Sequence, residues 1–405
     1  MRTLNICIIS QEYPPYTNWG GVGVYNSEFA GMFSELGHHV TVVSRAEKGA
    51  PAFEKLSNGV EVWRIGHALR RKYLVGRTID RMLHARDVFK KTCVLDSLKP
   101  FDIIETTEAG LEGEVLLRDK SFLRRMVIQS NGSNALGVIP EGLLSVLHRL
   151  DWNWSFRREQ DVLRRVPRII VTSEATRIFL LKQGVDPSKI KIIYQGIDVN
   201  RFRPRSIPLS FSPLEVGFAG RLENRKGMDF VWKVIEDIGP DAGIRFNFKG
   251  AIHLSVRKEV EKNLGRFSSF VAYHGASSHG EMQDYYQSLH VLLQPSRFEN
   301  FGLVYAEGMS CGLVVFAGIQ GGGSEIVKDG ITGFLVDPDG ETGFVVDKLK
   351  GIAANLPAFE DMRLKAREEV IKRFSLQTCA SQKIAYYQEY LGKNYDENSL
   401  TIHRV

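Results

Sequence analysis

Residues 5–44 read NICIISQEYPPYTNWGGVGVYNSEFAGMFSELGHHVTVVS. The apolar run Asn5–Ser10 has the length of one buried strand, and the Pro- and Gly-rich stretch Gln11–Gly23 is a loop. VYNSEFAGMFSELG then repeats apolar positions at helical spacing up to Gly37, and HVTVVS (39–44) is a second strand. Strand, loop, helix and strand in that order make a βαβ opening. Further buried-type runs follow at FDIIE (101–105), MVIQS (126–130), RIIVTS (168–173) and KIKIIY (189–194), with helical or loop stretches between them. This alternation predicts a parallel, doubly wound α/β sheet.

Residues 196–213, GIDVNRFRPRSIPLSFSP, carry three prolines and little periodicity. Beyond them a second series begins, with strands expected at LEVGFAG, RFNFKG, FVAYHG, HVLLQPS, LVVFA and GFLV. The chain is therefore expected to hold two Rossmann-like domains, at 1–200 and 201–375, followed by a helical tail at 376–405. Such sheets bind ligands at the carboxyl ends of their strands, so the functional residues are expected just after strands.

With 405 residues, 43% hydrophobic and 25% charged, the sequence has ample apolar surface for two packed domains. Asn5–Ser10 is far shorter than a signal peptide's apolar region or the ~20 residues of a membrane helix. Cys7, Cys93, Cys311 and Cys379 are scattered, without the short paired spacing of a zinc site or disulfide framework. These features predict a cytoplasmic protein. Residues 1–200 hold 28 of the 53 Lys and Arg but only 22 of the 47 Asp and Glu, so the whole net charge of +6 falls in the first half. Arg64–Lys91 alone carries nine basic residues against Asp80 and Asp87, a pattern suited to an anionic membrane surface or an acidic substrate. Within it Val75, Ile79, Met82, Leu83 and Phe89 share a side, which a helix packed on its own domain also explains. No nucleic-acid partner is expected.

Several stretches could carry chemistry. Gly20, Gly21 and Gly23 lie between the first strand and its helix, where backbone amides can approach an anion, although a plain connecting loop fits as well. GGVG is not the GxGxxG fingerprint, and the second strand ends in Ser44 and Arg45 without an acidic ribose partner, so nicotinamide binding is disfavoured. In GRLENRKG (220–227), Arg221 and Lys226 beside glycines suit a diphosphate, while in isolation an ordinary solvated turn explains them. In QPSRFENFGLVYAEGMSCG (294–312), Glu299 precedes a helix and Glu307 lies inside it, eight positions on. Phe301, Gly302 and Leu303 supply that helix's first amides, which favour a phosphate. Glu307 stands among apolar neighbours and needs hydrogen-bond donors such as ribose hydroxyls. Gly318 and Gly321–Gly323 form another place for close backbone approach, leading into Ser324 as an expected N-cap and Glu325 as a first-turn acid. Asp337–Asp339 spells a DPD carboxylate pair, but Pro338 and Gly340 make it a turn and the metal reading is set aside. The histidines, including His38, His39 and His274, sit in turn or strand-end settings that suit structural roles.

Taken together, these residues resemble the retaining glycosyltransferases of family four, a large GT-B group whose two Rossmann-like domains face each other across a cleft. The strongest element is Glu299, seven intervening residues, then Glu307, in PSRFENFGLVYAEGMSCG. Supporting matches are YPPYTNWGGVG, GHHVTVV, GIDVNRFRP, GRLENRKG, GGGSEIVKDGITGFLV and the tail RFSLQTCASQKIAYYQEYL. The resemblance spans nearly the whole chain. It implies transfer of a hexose from a nucleotide sugar, such as a UDP- or GDP-hexose, without metal or other cofactor. Arg221 and Lys226 would contact the donor diphosphate, Glu307 the ribose and Glu299 the sugar hydroxyls. Gly20–Gly23 would close over the phosphate and acceptor side, and the last helix would cross back to the first domain.

One departure stands out. Many members carry a histidine after an amino-domain strand beside the transferred sugar, where VIQSNGSN has Asn131, an amide that bonds hydroxyls but cannot become cationic. Gln195 likewise replaces the usual asparagine before Gly196. The acceptor is expected to be a glycan, lipid-linked or small molecule. A sugar-nucleotide epimerase and a non-catalytic sugar-nucleotide-binding protein are the other readings this architecture allows.

Overall fold

The structure is a computed structural model that describes residues 2–16, 21–66, 77–108, 112–131, 145–207, 210, 212–276 and 279–402. Gly20, together with Arg70, Arg71 and Lys72 of the basic stretch, lies outside the described residues. The chain divides into two compact units. The first comprises 1–172, 176–193 and 379–405, and the second 173–175 and 194–378.

The first unit is built on eight strands: β1 (Asn5–Ser10), β2 (His39–Arg45), β3 (Phe53–Lys55), β4 (Glu61–Ile65), β5 (Ile103–Thr107), β6 (Met126–Ser130), β7 (Ile169–Val171) and β8 (Ile190–Ile192). Their order is β3-β4-β2-β1-β5-β6-β7-β8, and every pairing is parallel except the β3–β4 edge hairpin. β1, β5 and β6 are buried at every residue, which is why none shows the alternation of a half-exposed strand, although β5 (IIETT) includes the buried Glu105. β3 and β4 were not anticipated. β4 alternates buried and half-buried positions, and one buried position is Arg64, which pairs with Glu54 across the hairpin.

The second unit has six parallel strands: β9 (Leu214–Ala219), β10 (Ile244–Lys249), β11 (Val271–Tyr273), β12 (Val291–Gln294), β13 (Val314–Gly318) and β14 (Phe334–Val336). Their order is β11-β10-β9-β12-β13-β14, the doubly wound arrangement in which connections run outward in both directions from the central pair. One side of this sheet packs Val216, Phe218, Phe246 and Phe248 with Trp232 and Ile235 of the helix Met228–Ile238. The other packs Leu292, Val315 and Ala317 with Tyr305 and Met309. Each such buried side chain contributes about 1.5–3 kcal/mol relative to exposure.

Two local readings change. The first helix spans Gly21–Glu35, so Gly21 and Gly23 lie in its first turn rather than in a loop. Gly23 packs on the strand exit: an added Cβ would stand 2.8 Å from Glu12 Cβ. In the helix Arg77–Leu98 the buried side is His84, Ala85, Val88, Thr92 and Leu95, whereas Ile79 and Leu83 are 52% and 48% exposed. The last helix, Leu376–Ile402, starts in the second unit, and its residues from Cys379 belong to the first.

Candidate active site

In a doubly wound sheet the neighbours whose connections diverge leave an opening beyond their carboxyl ends. In the second unit those strands are β9 and β12. Gln294, the last residue of β12, holds their exits together: its Oε1 accepts from Ala219 N at 3.1 Å, and its Nε2 donates to Ser296 Oγ at 3.3 Å.

The turn after β9 is laid directly on this junction. Glu223 precedes a short 3-10 turn, Asn224–Lys226, which ends at Gly227 with φ +80°. A Cβ at Gly227 would lie 2.1 Å from Pro295 O, so the backbones of the two exits touch and only glycine fits. That approach brings Lys226 onto Glu299, whose side chains are 16% and 11% exposed and form an ion pair. Ser296 Oγ donates to the same Glu299 Oε1 at 3.0 Å. The two charged groups read from separate motifs are therefore one unit.

Arg221 stands apart from that pair. Its side chain is 58% exposed, and Glu223 Oε2 lies 3.8 Å from it. Two arginines not singled out in the sequence fix the surrounding frame. Arg225 donates to Phe298 O at 3.2 Å and to Glu223 Oε1 at 2.8 Å. Arg297 forks onto Asp229 at 2.7 and 2.8 Å and reaches Asp339 Oδ1 at 2.9 Å. Asp337 Oδ1 accepts from Asp339 N at 3.0 Å, so both carboxylates of the DPD turn have partners in the chain.

The helix Leu303–Ser310 begins at Gly302, which has φ +99° and ψ +60° and provides no side-chain cap. Phe301 is buried against Tyr194 and Phe374, leaving its backbone to shape the helix entrance. The glycines of 318–323 do approach backbone closely, but the backbone is the chain's own. Cβ atoms at Gly318 and Gly322 would stand 1.8 and 2.0 Å from Ser296 O and Phe301 O, and Gly322 N donates to Glu299 O at 2.8 Å. The short helix Gly323–Ile326 is preceded by Gly322, not capped by Ser324, whose hydroxyl bonds Gly321 O at 3.1 Å.

Glu307 is 5% exposed, and its Oε2 accepts from Tyr286 OH at 2.7 Å. Sequence reasoning expected external donors for this carboxylate and missed the tyrosine. Burial, followed by the nearby Glu307 charge, raises the Tyr286 pKa well above the ordinary tyrosine value, keeping the phenol a donor.

In the first unit the diverging pair is β1 and β5. Glu108 follows β5 and is 2% exposed; Asn131 N donates to its two oxygens at 3.1 and 3.3 Å, and Ser130 Oγ at 3.3 Å. Burial pushes the Glu108 pKa up to about 7, against the lowering effect of these bonds. Glu112, fully buried, is likewise pushed up to about 7 by desolvation. Asn131 follows β6, and its Oδ1 accepts from Gln129 Nε2 at 3.3 Å. His38 Nδ1 accepts from Leu4 N at 3.1 Å, and His274 Nε2 lies 2.9 Å from Asn247 Oδ1, so both sit in local scaffold contacts.

Two Rossmann-like domains of this order, each with an opening beyond its diverging strands, have the GT-B architecture. Residues 19–201 match the glycosyltransferase family 4 profile, and residues 213–354 match that of glycosyl transferases group 1. The chain belongs to glycosyltransferase family 4. It is 25% identical over 414 residues to a D-inositol 3-phosphate glycosyltransferase of Kribbella flavida, covering 93% of this chain and 92% of that one. Among solved structures, sucrose-phosphate synthase from Thermosynechococcus elongatus superposes with a TM-score of 0.79 at 20% identity, over 97% of this chain and all of the other. HepE of Anabaena, in complex with UDP and glucose, gives 0.70 at 18% identity over 95% of this chain and all of HepE.

Proposed function

We propose that this glycosyltransferase retains the anomeric configuration and moves a hexose from a UDP- or GDP-sugar to a glycan, lipid-linked or small-molecule acceptor in polysaccharide or glycoconjugate synthesis. The observation that carries the reading is the Lys226–Glu299 pair at the β9–β12 junction, which sets a cation beside a carboxylate just ahead of an uncapped helix start. Breaking a glycosyl–phosphate bond puts positive charge on the sugar and negative charge on the departing diphosphate. Arg221, Lys226 and the backbone amides of Phe301, Gly302 and Leu303 stabilise the diphosphate. Glu299 holds sugar hydroxyls, and Glu307, oriented by Tyr286, takes the ribose. The leaving phosphate oxygen accepts the acceptor's proton as the new glycosidic bond forms on the same face. In the first unit Asn131 meets the transferred sugar, while Gly21 and Gly23, with Gly20, serve the phosphate and acceptor side.

Metal independence belongs to the same reading, because cations of the chain serve the diphosphate and Arg297 engages Asp339 of the DPD turn. The UDP in the HepE complex supports a nucleotide donor. None of the four cysteines is in a disulfide, and among the described residues no helix is long and apolar enough to cross a membrane, which suits a cytoplasmic enzyme. Among the described residues of Arg64–Lys91, the part that suits peripheral membrane contact is the exposed strip of Ile79, Leu83, Arg86 and Lys90, because Arg64 pairs with Glu54, Arg81 with Glu159, and Lys91 stacks on Trp63; Arg70, Arg71 and Lys72 stay within the proposal.

The test is incubation with UDP- and GDP-hexoses, with and without candidate acceptors, followed by product analysis. An α-linked product from an α-linked donor, formed equally well with EDTA, is expected. Inverted product, an epimerised donor, or activity restored only by Mn²⁺ overturns the corresponding part of the reading.

A further inference from the structure

Gln129 sits in β6 two residues before Asn131, and its side chain is fully buried. Its Oε1 accepts from Tyr25 OH at 2.8 Å and from Lys383 Nζ at 3.2 Å. Lys383 belongs to the last helix and is wholly buried within the first unit. Its ammonium also donates to Glu105 Oε1 at 2.8 Å and to Tyr25 OH at 3.0 Å, so all three protons are placed. The rings of Tyr25, Phe29 and Phe33 flank it at 5.2, 4.7 and 5.8 Å, and Tyr387 donates to the other Glu105 oxygen.

This arrangement fixes an orientation that an isolated amide would leave open. A lysine ammonium can only donate, and the Tyr25 hydroxyl, which accepts from Lys383, has its proton directed at Gln129. The end of Gln129 facing them must therefore be its oxygen. Its nitrogen is left facing Asn131, and it donates to Asn131 Oδ1 at 3.3 Å. Asn131 is then constrained in turn, with its oxygen toward Gln129 and its nitrogen turned away from it. Polarity is relayed from the last helix through β6 to the residue standing where the family commonly has histidine.

We propose that Lys383 and Gln129 are positioning residues that fix the Asn131 carboxamide so that it meets the substrate as an N–H donor. This inference rests on the reading of Asn131 as a substrate-facing residue. It makes the bound group a hydrogen-bond acceptor, the oxygen of a sugar hydroxyl or of a phosphate. It also gives the helix returning from the second unit a part in substrate orientation beyond holding the chain together.

The test uses the full chain and compares Gln129→Glu, Asn131→Asp and Asn131→Ala in donor kinetics at about pH 9, where a carboxylate introduced beside Lys383 is ionised. Gln129→Glu keeps both acceptor contacts to Lys383 and Tyr25 but offers no N–H to Asn131, whose amide then turns round. Asn131→Asp keeps an acceptor for Gln129 but presents oxygen to the substrate. Each is expected to lower kcat/KM by about tenfold or more in protein that circular dichroism shows folded at the assay temperature, as loss of one hydrogen bond with a polarity mismatch implies. If Gln129→Glu stays within about twofold while Asn131→Ala is impaired, the positioning role is overturned and the reading of Asn131 survives. If Asn131→Ala stays within about twofold, both fall. Should Gln129→Glu fail to fold, Asn131→Asp decides: activity at or below that of Asn131→Ala supports the donor polarity, and activity near that of the unaltered chain refutes it.

Discussion

Removing Lys226, Glu299 or both measures whether the junction is held as one charged unit. The pair is partly buried, with side chains 16% and 11% exposed, and Ser296 adds a 3.0 Å bond to the same carboxylate oxygen. Exposed pairs contribute about 0.2–1 kcal/mol, and removing one member of a fully buried pair costs about 3–5 kcal/mol. This pair lies nearer the second limit, so Lys226→Ala and Glu299→Ala should each cost about 2–3 kcal/mol in the second unit. The double variant should cost clearly less than the sum, giving a coupling of about 1.5–2 kcal/mol. Urea-dependent hydrogen exchange of amides in Leu214–Ala219 and Val291–Gln294 reads that unit alone. UDP affinity by calorimetry supplies the functional side. Lys226→Ala should weaken UDP about tenfold, whereas Glu299→Ala, which releases the lysine, should bind UDP at least as tightly and lose turnover with UDP-sugar. A coupling below about 0.5 kcal/mol, within the range of plain additivity, refutes the argument.

Four further outcomes follow from individual contacts. Tyr286→Phe leaves a buried Glu307 oxygen without its phenol donor and should destabilise the second unit by about 1.5–3 kcal/mol while weakening nucleotide binding; a denaturation midpoint unchanged at equal slope would disprove it. Glu108, with a folded pKa of about 7 against an ordinary 4.5, binds its proton more tightly when folded, so its contribution is complete below about pH 4.5 and is lost as pH rises through about 7. Stability of the first unit should therefore fall across that window by up to about 3 kcal/mol more in the unaltered chain than in Glu108→Gln, and parallel pH profiles would contradict this. Gly227→Ala sets a Cβ 2.1 Å from Pro295 O at positive φ, so it should part the two strand exits and depress turnover about as much as Lys226→Ala; near-normal kinetics would count against the close approach. Leu83→Glu should reduce sedimentation with anionic liposomes at low salt, and equal partitioning, or none by either protein, rules out the Ile79–Lys90 strip.

The strands buried on both faces were legible because nothing on them alternates: NICIIS, MVIQS and HVLLQ are short apolar runs bounded by loops, and each is a strand of a parallel sheet. β4 was hidden because EVWRI includes an arginine at a buried position, which makes sense only when Glu54 of the adjoining strand is in view. The helix start at Gly21 was hidden for a related reason. Glycines before a helix ordinarily suggest a loop, but Gly23 lies within the helix and is suited to glycine because Glu12, just past β1, leaves little room for a side chain. In the site, the Glu299 and Glu307 spacing could be seen because it is local. The contacts that orient these carboxylates could not, since Lys226 is 73 residues from Glu299 and Tyr286 is 21 from Glu307. Lys383 and Glu105, 278 residues apart, gave no sign at all: a lysine in an otherwise mixed tail is ordinary until the helix is seen to bury it.

The pairing of Lys226 with Glu299 also bears on how a donor would be taken up. Two of the groups proposed for the donor, Lys226 and Glu299, neutralise each other, so neither is an uncompensated charge at the strand-end junction. On the proposed reading, a diphosphate arriving at Lys226 would compete with Glu299 for the same ammonium, and the displaced carboxylate would become available to sugar hydroxyls. A nucleoside diphosphate without sugar would make the first exchange but offer Glu299 nothing in return. The intact donor would make both. Discrimination between donor and spent nucleotide would then reside in Glu299, and its loss should narrow the affinity gap between UDP-sugar and UDP chiefly by weakening the former. Equal weakening of both ligands in Glu299→Ala would mean that the carboxylate acts only through the geometry of the turn that Gly227 presses against Pro295.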